Sequence, residues 1–129
     1  MEMKLELVPI PVSDVDRAKA FYHDQVGFHA DHDHKLGEDV RFVQLTPPGS
    51  ACSIVIGNGI TDAAPGSAQG MLLVVSDIDA ARAELVERGI EISAVEDMEW
   101  GARHAFFNDP DGNSWQLQQP NTRARAPKE

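Results

Sequence analysis

Apolar and polar positions follow the same order twice along the chain. An apolar run, "LELVPIPV" from Leu5, leads into "VSDVDRAKA" from Val12; a second, "GMLLVV" from Gly70, leads into "VSDIDAARA" from Val75. In both copies apolar residues then recur at helical spacing: Val15, Ala18 and Tyr22 in the first, Ile78, Ala81 and Leu85 in the second. Ser13 with Asp16, and Ser76 with Asp79, read as short-armed capping boxes at the helix starts. Gly27 and Gly89 read as left-handed stops.

After each helix the period shortens. "FHADHDH", "EDVRFVQLT" and "ACSIVIG" follow the first helix; "IEISAVE", "ARHAFFN" and "NSWQLQQ" follow the second. Their Gly, Pro and Asp punctuation, "PPGS" and "DPDG" above all, predicts strands and hairpins. Each half is therefore βαβββ and too small to bury its sheet alone. The reading is an α+β chain with modules at 4–57 and 70–119, a linker at 58–69 and a disordered polar tail at 121–129. The two modules together form one domain, 1–120.

Composition narrows the functional classes. With 129 residues, 42% hydrophobic and 25% charged, the chain is an ordinary soluble domain. Eleven basic residues against 21 acidic give a net charge of −10, which repels nucleic acid and anionic lipid. That charge modestly favours cationic or neutral small molecules, although solubility alone accounts for it. No signal peptide or membrane-length apolar run is visible. The single cysteine, Cys52, suits a reducing cytoplasm.

The doubled βαβββ unit, "FYHDQVGF" after the first helix and the closing "DPDGNSWQL" resemble the vicinal oxygen chelate superfamily. That group includes glyoxalase I, extradiol dioxygenases, fosfomycin-resistance enzymes and bleomycin-resistance proteins. The stretches "VPIPVSDVDRAKAFYHDQVGF" and "WGARHAFFNDPDGN" are most similar to its bleomycin-resistance and glyoxalase-like branches. The resemblance implies a curved mixed sheet around a cleft, and a homodimer whose subunits share strands or modules. It also implies metal ligands on the first and last strand of each module, which fall here on Leu7, Val55, Met71 and Gln116. Leucine and valine have no lone pair, a thioether suits hard divalent ions poorly, and one neutral glutamine remains. The expectation is no metal and no other cofactor, with the four positions lining one ligand cavity.

Further residues have two readings each. Alternation along "HADHDH" puts His29, Asp31 and Asp33 on one face and His32 and His34 on the other, either as a partial metal site or as a solvated edge strand. His104 is a candidate acid or base, or a hydrogen-bonded structural histidine. Arg103 is a carboxylate clamp or a surface ion pair. Trp100 stacks on a planar ligand or caps the core. Ser53, Ser114 and Gln118 offer neutral hydrogen bonds beside Val55 and Gln116. Trp115 packs under a helix, and Cys52 is an inert core thiol.

Three functions follow. The first is a metal-free module binding or sequestering a small, planar or cationic molecule. The second is a metal-free isomerase or lyase using His104 or a carboxylate as base. The third, a metal-dependent lyase or dioxygenase, has the least support from the residues at the ligand positions.

Overall fold

A computed structural model describes residues 1–120; the tail expected at 121–129 lies outside the described residues. The first βαβββ module is β1 (Leu7–Pro9), α1 (Val15–Lys19) running into a π-helical segment (Ala20–Val26), β2 (His29–Lys35), β3 (Arg41–Thr46) and β4 (Ser53–Asn58). The second is β5 (Met71–Val74), α2 (Ile78–Glu87), β6 (Glu96–Asp97), β7 (Arg103–Asn108) and β8 (Ser114–Gln119). Each makes a four-stranded mixed sheet of the same order, β1-β4-β3-β2 and β5-β8-β7-β6, with its first strand parallel to its last. Among the described residues no helix is long and apolar enough to cross a membrane.

By contacts the chain divides into two units. One is Met1–Ala68 with Asp109–Asn113; the other is Gln69–Asn108 with the described residues from Ser114 onward. In the first, Val43, Leu45, Ile54 and Ile56 are buried along with Ile10, Val15, Ala18 and Tyr22 of the β1–α1 segment and its π-helical continuation. The "DPDG" turn belongs to this unit through a buried carboxylate. Asp109 accepts from the Tyr22 hydroxyl (2.6 Å), the Asn113 amide side chain (2.7 Å) and the backbone N–H groups of Asp111 and Asn113. Asn113 also donates to the Pro11 carbonyl (2.8 Å), and Ser13 donates to Asp111 (2.6 Å).

That last bond corrects the capping assignment. The N-caps are Asp14 and Asp77, whose carboxylates accept from the N–H of Arg17 and Ala80. A carboxylate one residue later meets the first free N–H groups in the extended cap geometry, leaving Ser13 for the turn. Asp16 and Asp79 have another duty. Each reaches from the first helical turn to the arginine that opens its module's third strand: Arg41 to Asp16 at 2.6 Å, Arg103 to Asp79 at 2.7 Å. The glycine stops hold, with φ of 96° at Gly27 and 89° at Gly89.

Two strand expectations fail. "IEISAVE" is not a continuous strand: Ile92 makes an isolated bridge to Phe107, and β6 is only Glu96–Asp97. In β2 the pairing with β3 slips between Ala30 and His32, so Asp31 is a bulge residue. A bulge breaks strict alternation. Asp33 therefore sits opposite Val43 on the helix-packed face, while His29, His32 and His34 stand opposite Thr46, Gln44 and Phe42.

Candidate functional site

Every sheet here has one face packed by its module's helix and one without it, and register decides which residues lie on each. In the first unit Leu7, Ser53, Val55, Gln44 and Thr46 share the helix-free face, since Leu7 pairs with Ser53 and Gln44 with Val55. Leu7 is half-buried; Val55 is buried. Polar groups on this face satisfy one another. Thr46 donates to Asp31, so its oxygen accepts from the Ser53 hydroxyl (2.6 Å), and Ser53 accepts in turn from Gln44 (3.3 Å). His29 closes the chain at 2.9 Å from Asp31. Asp31 is held below the usual carboxylate range, chiefly by Thr46, with His29 adding to it. Ser53, expected as a ligand contact, is thus a link in an internal network.

The edge histidines His32 and His34 stack at 5.6 Å. Among the described residues no three His, Cys, Asp or Glu side chains converge as a metal-binding group. Cys52 is half-buried, its thiol 3.6 Å from the Ser53 carbonyl.

The second unit differs. Met71 pairs with Trp115 and Leu73 with Leu117, whereas Leu72 pairs with Gln116 and Val74 with Gln118. Met71 thus stands on the helix-packed side, and the expectation that it shares a face with Gln116 is corrected. The repeat explains the slip. Val12 and Val75 are equivalent, and counting back equally from each matches Leu7 with Gly70, not with Met71. Trp115 packs on that side as expected, buried and stacked on Phe107 at 6.2 Å.

Arg103 also belongs to the helix-packed side, opposite Gln119. Its guanidinium is held by Asp79 and by Asp97 (2.9 Å), and it lowers the pKa of Asp79. A saturated guanidinium is no clamp for a ligand, so the ion-pair reading replaces the clamp reading. Arg41 is its counterpart in the first unit. It grips Asp33 with two nitrogens, at 2.9 and 3.0 Å, and with Lys19 holds that carboxyl well below the usual range.

The helix-free face of the second sheet carries Leu72, Val74, His104, Phe106, Gln116 and Gln118. Leu72, Val74 and Phe106 are exposed. His104 is buried; its Nε2 lies 2.8 Å from Gln118 Oε1 and therefore donates to it. Exposed Trp100 meets the His104 ring edge-on at 5.7 Å, and Phe106 meets it at 6.1 Å. Toward the hairpin end lies a pocket of about 250 Å³, lined by Gly70, Glu91, Phe106, Asn108, Ser114 and Gln116 among others. Ser114 accepts from the Gly70 N–H at 2.7 Å. Among the described residues the side chains of Gln116, Asn108 and Glu91 have no protein partner, while the neighbouring amides of Gln118 and Gln119 are bound to His104 and to the Ile78 N–H. Phe106, Asn108 and Glu91 were not anticipated as site residues. Phe106 was detectable, being on Gln116's face by alternation; Glu91 gave no signal.

Known proteins carry the same pattern. Residues 4–117 match the Glyoxalase/Bleomycin resistance protein/Dioxygenase superfamily. The chain belongs to this superfamily. Its solved relatives include TnmS3, an antibiotic binding protein from Streptomyces sp. CB03234, at 39% identity and a TM-score of 0.82, covering 92% of this chain and 97% of that one. A superfamily member from Sphaerobacter thermophilus DSM 20745 is 32% identical with a TM-score of 0.79, covering 92% and 98%. YetH of Bacillus subtilis (strain 168) is 26% identical over 121 residues, 92% of this chain and 100% of YetH. The βαβββ repeat read from the sequence is thus the superfamily's own, and the α+β fold expected from it is the fold observed.

Proposed function

We propose that this superfamily member binds and holds a small molecule with a planar or apolar body on the helix-free face of its second sheet. One observation carries the reading: among the described residues the Gln116 and Asn108 amides stand unpaired in a pocket beside exposed Phe106, while Ser114, Gln118 and Gln119 are bound. Unpaired polar groups beside apolar surface are what a ligand pocket offers. The likeness to an antibiotic binding protein over nearly the whole chain supports the same class of activity. Of the residues expected to line the site, Gln116 and Trp100 stay in the proposal, with Leu72 replacing Met71. Leu7 and Val55 remain as apolar positions on the helix-free face of the first sheet.

Neither unit's residues at the implied ligand positions suit a divalent ion. Leu7, Val55 and Gly70 offer no side-chain donor, and Gln116 alone is neutral and monodentate. Nor is His104 poised as a base, with its Nε2 proton directed to Gln118 and its ring flanked by Trp100 and Phe106. The protein acts as a cytoplasmic homodimer in this reading, and light scattering at micromolar concentration tests the dimer.

A thermal-shift screen over planar aromatic molecules and over Mn²⁺, Ni²⁺ and Zn²⁺ tests the binding proposal. The expected result is stabilisation by aromatic molecules, none by metals, and recovery of the ligand unchanged by mass spectrometry. Phe106→Ala should weaken binding about tenfold, as loss of an aromatic anchor does. Stabilisation by a metal alone, or conversion of the ligand, overturns the reading.

A further inference from the structure

We infer that the pocket of the second unit selects a ligand bearing a positively charged nitrogen, and that Glu91 is the residue that selects it. This rests on the pocket reading above and adds its charge preference. Glu91 is the only ionisable side chain among the lining residues; it is exposed, and among the described residues it has no ion pair or hydrogen bond. The arginines of the second unit's described residues are engaged elsewhere. Arg103 is held by Asp79 and Asp97, Arg88 bonds to Glu84, and Arg82 donates to the carbonyls of Ile92 and Ser93.

The same contacts anchor the backbone that carries Glu91. Ile92 bridges to Phe107, the Ser93 N–H donates to the Phe106 carbonyl (2.9 Å), and the Phe106 N–H donates to the Ser93 hydroxyl (2.9 Å). Arg82 holds the segment from the helix side, at 2.6 Å to the Ser93 carbonyl. Glu91 therefore opens a backbone segment tied to the strand that supplies Phe106. A carboxylate on an anchored backbone, beside an aromatic ring and two acceptor-capable amides, suits an ammonium group carried on a flat apolar body. It repels an anion of the same shape.

The test uses three naphthalene probes of matched size: 2-naphthylmethylamine (a cation at neutral pH), 2-naphthylmethanol (neutral) and 2-naphthoate (an anion). Each is titrated into the full chain by calorimetry, with amide shifts of Phe106 and Gln116 followed by NMR. The amine should bind about tenfold tighter than the alcohol, the advantage of a charge-assisted hydrogen bond, and the acid weakest. Glu91→Gln should bring the amine to within about twofold of the alcohol and leave the alcohol unchanged. Glu87→Gln, which removes the same charge from the end of α2, should keep the preference and so separates Glu91 from the overall acidity of the chain. If the amine preference survives Glu91→Gln, or all three probes bind equally while shifting Phe106 and Gln116, the charge selection is wrong and the pocket reading stands. If none of the three binds, both fall.

Discussion

The two modules share one topology and treat their helix-free faces in opposite ways. On the first, His29, Asp31, Thr46, Ser53 and Gln44 form one hydrogen-bonded chain in which each group has a partner. On the second, Gln116, Asn108 and Glu91 stand open beside exposed Phe106 and Leu72. The difference separates scaffold from site. Strand order, helix caps and the Asp–Arg clasps recur in both copies and explain the fold. What distinguishes a surface prepared for a ligand is polar groups left without protein partners.

Substitutions should register that contrast. The largest effect is expected at the saturated end of the first unit. Asp109→Ala removes a buried acceptor of four hydrogen bonds and deprives the Tyr22 hydroxyl and the Asn113 amide of an acceptor each, so urea unfolding should show a loss of about 3–5 kcal/mol. A loss below about 1 kcal/mol would mean the turn is not the hub described. Thr46→Val interrupts the network on the first helix-free face between Asp31 and Ser53. It should cost about 1–2 kcal/mol, because both neighbours lose a partner and Ser53 is buried. Gln116→Leu should change stability by no more than about 0.5 kcal/mol, since no protein bond is lost, while altering ligand affinity. If Gln116→Leu destabilises as much as Thr46→Val, the two faces are alike and the contrast collapses.

Much of this was legible in the sequence because it depends on local chemistry. The repeated "VSD" stretches, the positive-φ glycines and the "DPDG" turn define the modules without reference to anything distant. What was hidden depends on partners far along the chain. Asp16 looks like a capping residue until Arg41 folds back onto it. The bulge at Asp31 is invisible because alternation is counted on one strand, whereas a bulge is a mismatch between two. Met71 shows the same weakness on a smaller scale: a one-residue error in strand register exchanges the two faces. Glu91 was missed because it follows the helix stop in a stretch read as a regular strand, and only the Ile92 bridge and the Ser93 bonds fix its position.

The π-helical segment Ala20–Val26 has a consequence for how the two copies came to differ. From Val12 to Gly27 the first module uses one residue more than the second does from Val75 to Gly89. Downstream, the opening arginines of the third strands, Arg41 and Arg103, are back in step with the two glycines. A wider turn, closed by the Gly27 N–H on the Tyr22 carbonyl at 3.1 Å, takes up the surplus residue. A surplus residue in a strand turns every following side chain to the other face unless a bulge such as that at Asp31 absorbs it; inside this helix it changes only the winding. The helix is the place where a duplicated chain can gain or lose a codon and leave the pairing of its sheet intact.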